Sequence, residues 1–313
     1  MTALAHEPMA DADRTAVSLP ALIALRECAG RGRVAPVVSR TTQGGQHTTR
    51  LFGRGMDYAE SRVYQAGDDV RRLDWRLTAR SGKLHTKLFQ EDRESNTLLL
   101  LDTHASMRFG SRGRFKSVQA ARVAAALAWL LAQSGERISM AGFGGGPGQV
   151  LRPTVGLRGA LAACGALARW DGAIPTGDGE PLSAALRRLR RSLQLASRVV
   201  LISDGFSFDA PAQGPLRELA RRGSLRFVLV ADAMELKPAR PGSYPLESHG
   251  HRGLVSLRSS AQQLSLLRML GAGAVRLRSA ATALACPCVE VDGAADACAA
   301  ATRTLHPARR MTS

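Results

Sequence analysis

Four consecutive leucines, Leu98 to Leu101, followed at once by Asp102, constrain this chain more than any other stretch. Successive side chains of a strand point to opposite faces, so an unbroken apolar run has no face to give to water. It must be covered on both sides, as a strand is inside a parallel sheet flanked by helices. Sheets of that kind bind ligands in the crevice outside the carboxyl ends of their strands. The segment Asp102-Thr103-His104-Ala105-Ser106 therefore brings a carboxylate, an imidazole and a hydroxyl to that edge. Arg198 to Asp204 repeats the theme as R-V-V-L-I-S-D, and Leu225 to Ala231 runs in the same way into Asp232.

The stretches between these strands carry helical periodicity. Lys116 to Gln133 places Val118, Ala121, Ala125, Ala128 and Leu131 on one face, and its alanines suit close packing on a sheet. Arg158 to Trp170, Pro181 to Leu193, Ala212 to Arg222, Ser259 to Leu270 and Ala274 to Ala285 read as helices. Arg137 to Phe143 and Cys288 to Val291 read as strands, with Gln149 to Arg152 a hairpin partner of the former. The alternation predicts an α/β fold, a three-layer, doubly wound, mostly parallel sheet with an irregular or β N-terminal extension. The expected organisation is an N-terminal segment with a short helix (1–30), an extension (31–95), the α/β domain (96–305) and a tail (306–313).

Lys and Arg number 43 against 26 Asp and Glu, a net charge of +17 that favours acidic partners. The same arginine excess is equally a product of an alanine- and arginine-rich composition. Five cysteines (Cys28, Cys164, Cys286, Cys288, Cys298) have no repeated metal-type spacing and read as reduced thiols. No apolar run is long enough to span a bilayer, and the first residues lack the basic and apolar regions of a signal peptide, so the expected location is cytoplasmic.

Gly53 to Arg80, which contains G-D-D-V-R-R-L-D-W, together with the strand ending at Asp102 and Met107-Arg108-Phe109-Gly110, resembles the bacterial domain-of-unknown-function-58 family over roughly residues 30 to 270. Its domain is of the von Willebrand factor A type and is often encoded beside a MoxR-type AAA+ ATPase. The resemblance implies a von Willebrand factor A-like fold. It also implies a non-catalytic protein-interaction module that acts as an adaptor for such an ATPase.

In that fold the first strand leads into D-x-S-x-S, part of a divalent-cation site. Asp102 and Ser106 match, whereas His104 stands where the first serine belongs. Glu180, before Pro181-Leu182, occupies the place of a threonine, with Thr176 the nearest threonine. The candidate ligands for Mg²⁺ or Mn²⁺ are thus Asp102, His104, Ser106 and Asp204, with Thr176 and Glu180 behind them, since hard cations take oxygen ligands including carboxylates. The alternative is a degenerate pocket in which Asp102 caps the following loop.

The block Asp68, Asp69, Arg71, Asp74, Trp75 and Arg80 has two compatible readings. Its acids and arginines can lock an irregular segment through bidentate pairs, with Trp75 as apolar anchor. It can also form a partner-binding surface, because tryptophan and arginine dominate interfaces. Arg187, Arg188, Arg190 and Arg191 on one helix support a second function, nucleic-acid association through phosphates. A phosphohydrolase is a third, because an apolar strand ending in Asp also opens the haloacid-dehalogenase pattern, but His104 stands where that chemistry needs its second carboxylate.

Overall fold

The structure, a computed structural model, describes residues 12–29, 56–65, 70–91, 95–145, 149–172, 179–248 and 251–306. The chain divides into two compact units, one of residues 39–94 and one of residues 1–38 with 95–313.

In the smaller unit, β1 (Met56–Val63) pairs antiparallel with β2 (His85–Glu91). A helix, Trp75–Ser81, lies between them in sequence and ends at Gly82, whose φ of +68° forms a left-handed C-cap. β2 overlaps Lys83 to Phe89, whose apolar and polar residues alternate as in a half-buried strand. β1 falls within the extension expected to be irregular or β, and the helix was not foreseen there.

The described part of the larger unit begins with three short helices, Ala12–Thr15, Leu19–Ala24 and Arg26–Ala29, where a single one was expected. Its sheet comprises β3 (Asn96–Asp102), β4 (Arg137–Phe143), β5 (Val150–Val155), β6 (Arg198–Ser203), β7 (Leu225–Val230) and, after a hairpin of β8 (Gly242–Ser248) with β9 (His251–Leu257), β10 (Cys288–Val291). The strand order is β10-β7-β6-β3-β4-β5, parallel throughout except for β5. This is the expected α/β, doubly wound architecture. The order reverses between β3 and β6, so the switch point lies where Asp102 and Asp204 emerge.

Every residue of β3 is buried, and the leucines divide by parity. Leu99 and Leu101 join Val200, Ile202, Val228 and Val230 under the helices Lys116–Gln133, Gly156–Asp171 and Ala297–Leu305. Leu98 and Leu100 join Val199, Leu201, Phe227 and Leu229 under Leu182–Arg188, Gln213–Arg221 and Ala272–Ala283. Fourteen of the 18 residues of Lys116–Gln133 are buried, which its run of small alanines permits. Trp129 of that helix donates to the carbonyl of Leu22 at 3.0 Å and ties the N-terminal segment to the same face.

Two sequence expectations change. The helix expected over Pro181 to Leu193 breaks at Leu189 into Leu182–Arg188 and Arg190–Leu195, so its arginines do not form one continuous face. Cys298 is disulfide-bonded, whereas Cys164, Cys286 and Cys288 are free thiols, which corrects the reading of the cysteines as uniformly reduced. No helix among the described residues is long and apolar enough to cross a membrane.

Because both faces of β3 are covered, Leu99→Ala and Leu100→Ala should each destabilise the protein by about 2–5 kcal/mol, the cost of a buried leucine truncation that leaves a cavity. Urea unfolding measures it. A near-neutral change in either variant is incompatible with two-sided burial.

Candidate functional site

The carboxyl edge of the sheet is built from the loops after β3, β6 and β7. Parallel pairing in register sets Leu101 beside Ile202, so Asp102 and Asp204 leave adjacent strands at the same edge. Both are buried, at 2% and 1% exposure.

Asp102 is held on both oxygens. One accepts the backbone N–H of His104 at 3.0 Å and its Nδ1–H at 2.7 Å. The other accepts the hydroxyls of Ser203 at 2.6 Å and Ser207 at 2.7 Å. Burial alone would raise the Asp102 pKa, but the hydrogen bond and charge of His104, with the two serines, hold it below the ordinary value. For His104 burial works downwards, yet the hydrogen bond and charge of Asp102, aided by Asp204 and Glu180, raise its pKa.

The imidazole fits against Phe143, edge to face at 5.6 Å between ring centroids. Two glycines make room for it. Gly144 has φ +103° and Gly179 has φ +73°; a Cβ at Gly144 would collide with the ring, and one at Gly179 would fall 2.7 Å from its Cδ2. Thr103 completes the loop by donating to the carbonyl of Phe143 at 2.8 Å and accepting from the N–H of Gly145 at 2.9 Å.

Asp204 faces a different partner. Its Oδ1 accepts the N–H of Phe206 at 3.0 Å, and its Oδ2 accepts from the ammonium of Lys116 at 2.9 Å. The same ammonium donates to Glu235 Oε1 at 2.6 Å and lies 5.6 Å from the ring centroids of both Phe109 and Phe206. Burial opposes charge on Lys116, but Asp204 and Glu235 outweigh it and hold its pKa above the ordinary lysine value. Glu235 is itself positioned by a capping box, its Oε2 accepting the N–H of Asp232 at 2.8 Å. Asp232 in turn accepts the backbone N–H of Ser111 at 2.8 Å.

The other sequence candidates are dispersed. The Ser106 hydroxyl is buried without a hydrogen-bond partner and does not join Asp102. Glu180 is gripped by Arg188, with Nε at 2.8 Å and Nη2 at 2.6 Å, and Arg188 also donates to the carbonyl of Gly142. Thr176, Asp68 and Asp69 lie outside the described residues. In the smaller unit Asp74 is buried and caps its helix, accepting the N–H of Leu77 at 3.1 Å and the hydroxyl of Ser61 at 2.9 Å. Trp75, the next residue, is 67% exposed, and Arg71 and Arg80 are exposed as well.

These residues do not fit a divalent cation. Among the described residues no group of three or more His, Cys, Asp or Glu is arranged to hold one. Asp102 is committed to four donors and Asp204 to a fixed ammonium. Like unit charges 4 Å apart near a protein surface repel by about 4 kcal/mol, and a divalent ion doubles that. Among the described candidate ligands, the unpartnered Ser106 hydroxyl favours a ligand, and it cannot offset this alone.

Sequence reasoning missed Lys116, Glu235, Ser203 and Ser207. The available signal was Lys116 itself, one of only four lysines in an arginine-rich chain, set at the start of a helix where the dipole disfavours a cation. Among the described residues, the serine hydroxyls nearest the Asp102–His104 pair bond Asp102 and not the imidazole.

A family model described as "Protein of unknown function DUF58" matches residues 60–265. "Uncharacterized protein Rv1480" of Mycobacterium tuberculosis is 32% identical over 203 residues, 65% of this chain and 63% of that protein. The match thus spans less than two thirds of the relative's length. Among solved structures, the conserved hypothetical protein BatB from Bacteroides thetaiotaomicron aligns at 16% identity and a TM-score of 0.42, covering 67% of this chain and 97% of that one. A von Willebrand factor type A protein from Catenulispora acidiphila aligns at 19% identity and a TM-score of 0.29, covering 47% and 34%.

The pKa directions define a stability profile. The raised His104 contributes fully below its unfolded value of about 6.5, and that contribution is lost as pH rises through its folded pKa. The lowered Asp102 contributes above its unfolded value and is lost as pH falls through its folded pKa. Stability should therefore decline on the alkaline side of about pH 6.5 in wild type, and His104→Gln should flatten that limb in urea titrations across pH. Gly144→Ala should cost about 1–3 kcal/mol from its left-handed φ, and more from the clash with the ring; thermal melts at one pH read it.

Proposed function

From the premise that the chain belongs to the DUF58 family of proteins of unknown function, we propose that it is a non-catalytic protein-interaction module, an adaptor for a MoxR-type AAA+ ATPase. The observation that carries this reading is the division of labour between Asp74 and Trp75. The carboxylate is turned inward to cap its helix, while the tryptophan beside it is 67% exposed, with exposed Arg71 and Arg80 near it in sequence. Large exposed aromatics are costly in water and concentrate binding energy when a partner covers them, and arginine is the residue enriched beside them. The inward commitments of Asp102 and Asp204 fit the same reading, because both carboxylates serve to hold the loops at the sheet edge.

The decisive experiment is co-purification of the tagged protein with the ATPase. Trp75→Ala and Arg71→Glu should each weaken capture by about tenfold or more, as loss of an interface anchor does, with an unchanged melting temperature for Trp75→Ala. Equal capture by wild type and Trp75→Ala would overturn the reading. The competing nucleic-acid function draws on Arg187, Arg190 and Arg191, which are exposed, whereas Arg188 is held by Glu180. Salt-dependent duplex binding that is lost when these arginines are neutralised and indifferent to Trp75 would establish it instead.

A further inference from the structure

We infer that Lys116 is a covalently tethered replacement for a divalent cation at the carboxyl edge of the sheet, so that this edge is assembled and held without metal. The inference does not depend on the adaptor reading. Its basis is what the ammonium joins. Lys116 opens the helix that follows β3, Asp204 follows β6, and Glu235 follows β7. One nitrogen, 2.9 Å from the first carboxylate and 2.6 Å from the second, thus ties together the loops of three strands. Drawing strand-end carboxylates onto one centre of positive charge is the task a bound cation performs at such an edge.

The setting excludes an incidental surface pair. The Lys116 side chain is 3% exposed and those of Asp204 and Glu235 are 1% and 4% exposed. The rings of Phe109 and Phe206 lie at equal 5.6 Å distances from the nitrogen, so aromatic π-faces supply further stabilisation of positive charge. A cation in the first helical turn is opposed by the macrodipole, and a buried one by desolvation, so the arrangement holds only because two fixed carboxylates converge on it. Lysine suits this geometry better than arginine, since a compact ammonium can lie between two carboxylates that a planar fork would engage edge-on.

A tethered cation has consequences that a dissociable one does not. The edge cannot be emptied by chelation or switched by changes in divalent-ion concentration, and a metal offered to it meets a resident positive charge. Removing the ammonium uncovers two facing carboxylates, which is a minimal oxygen site for a hard cation.

The test uses the full chain with Mn²⁺ as the probe, free ion being followed by electron paramagnetic resonance and stability by thermal melting. Wild type should leave the free-ion signal unattenuated at millimolar Mn²⁺ and melt at the same temperature in Mn²⁺ and in EDTA. Lys116→Met should melt lower than wild type in EDTA and recover part of the loss in Mn²⁺. If Lys116→Met does not fold in EDTA, recovery is read on refolding into Mn²⁺, and the wild-type titration decides by itself. Stoichiometric Mn²⁺ uptake by wild type that disappears in Asp204→Asn overturns the inference. So does a Lys116→Met variant that melts like wild type and is indifferent to Mn²⁺.

Discussion

Two-sided burial of β3 is the constraint on which the larger unit depends. Leu98 and Leu100 supply one core and Leu99 and Leu101 the other, so neither helical layer can be lost without exposing half of the central strand. Burying a leucine side chain fully is worth about 1.5–3 kcal/mol, and four in succession make β3 the place where both cores meet. Its neighbours β4 and β6 lie on opposite sides, and the chain's path reverses between β3 and β6. That reversal opens the crevice in which Asp102 and Asp204 appear together.

Convergence of strand ends creates an electrostatic problem that the fold solves internally. Asp102, Asp204, Asp232 and Glu235 are all buried at one edge, and carboxylates removed from water need partners. The solution uses short-range donors for Asp102, two serines and His104, and a shared ammonium for Asp204 and Glu235. Breaking such a buried pair by removing one member typically costs about 3–5 kcal/mol, so these contacts fix the loop conformations even where their net contribution is small. Gly144 and Gly179 belong to the same solution, because the imidazole occupies the volume that their side chains would need.

The smaller unit sets a buried side chain and an exposed one on either side of one peptide bond. Asp74 satisfies the helix N-terminus and the Ser61 hydroxyl, which is a structural use of an acid. Trp75 buries little of its ring within the chain. A block that reads in sequence as one dense cluster of charge and aromatic thus contains an inward-facing member and outward-facing ones.

The sequence by itself determined the parts that depend on local periodicity. The leucine run, the alanine-rich helix and the repeated strand-then-Asp pattern fixed the α/β class, the parallel core and the placing of Asp102 and Asp204 at one edge, because covering an apolar strand leaves few arrangements. The hairpin of β8 with β9 was not foreseen, since the alternation of Tyr244 with Leu246 and of Val255 with Leu257 is short and Pro245 interrupts the first strand. Nor was the break at Leu189, because residues on both sides have helical spacing. The partners of the carboxylates were decided only by tertiary structure. Lys116 and Asp204 stand 88 residues apart, and Lys116 and Glu235 stand 119 apart; no window of sequence contains both members. Whether a strand-end aspartate faces an open crevice or a resident ammonium depends on which side chain the neighbouring loop delivers, and that is settled by packing in three dimensions.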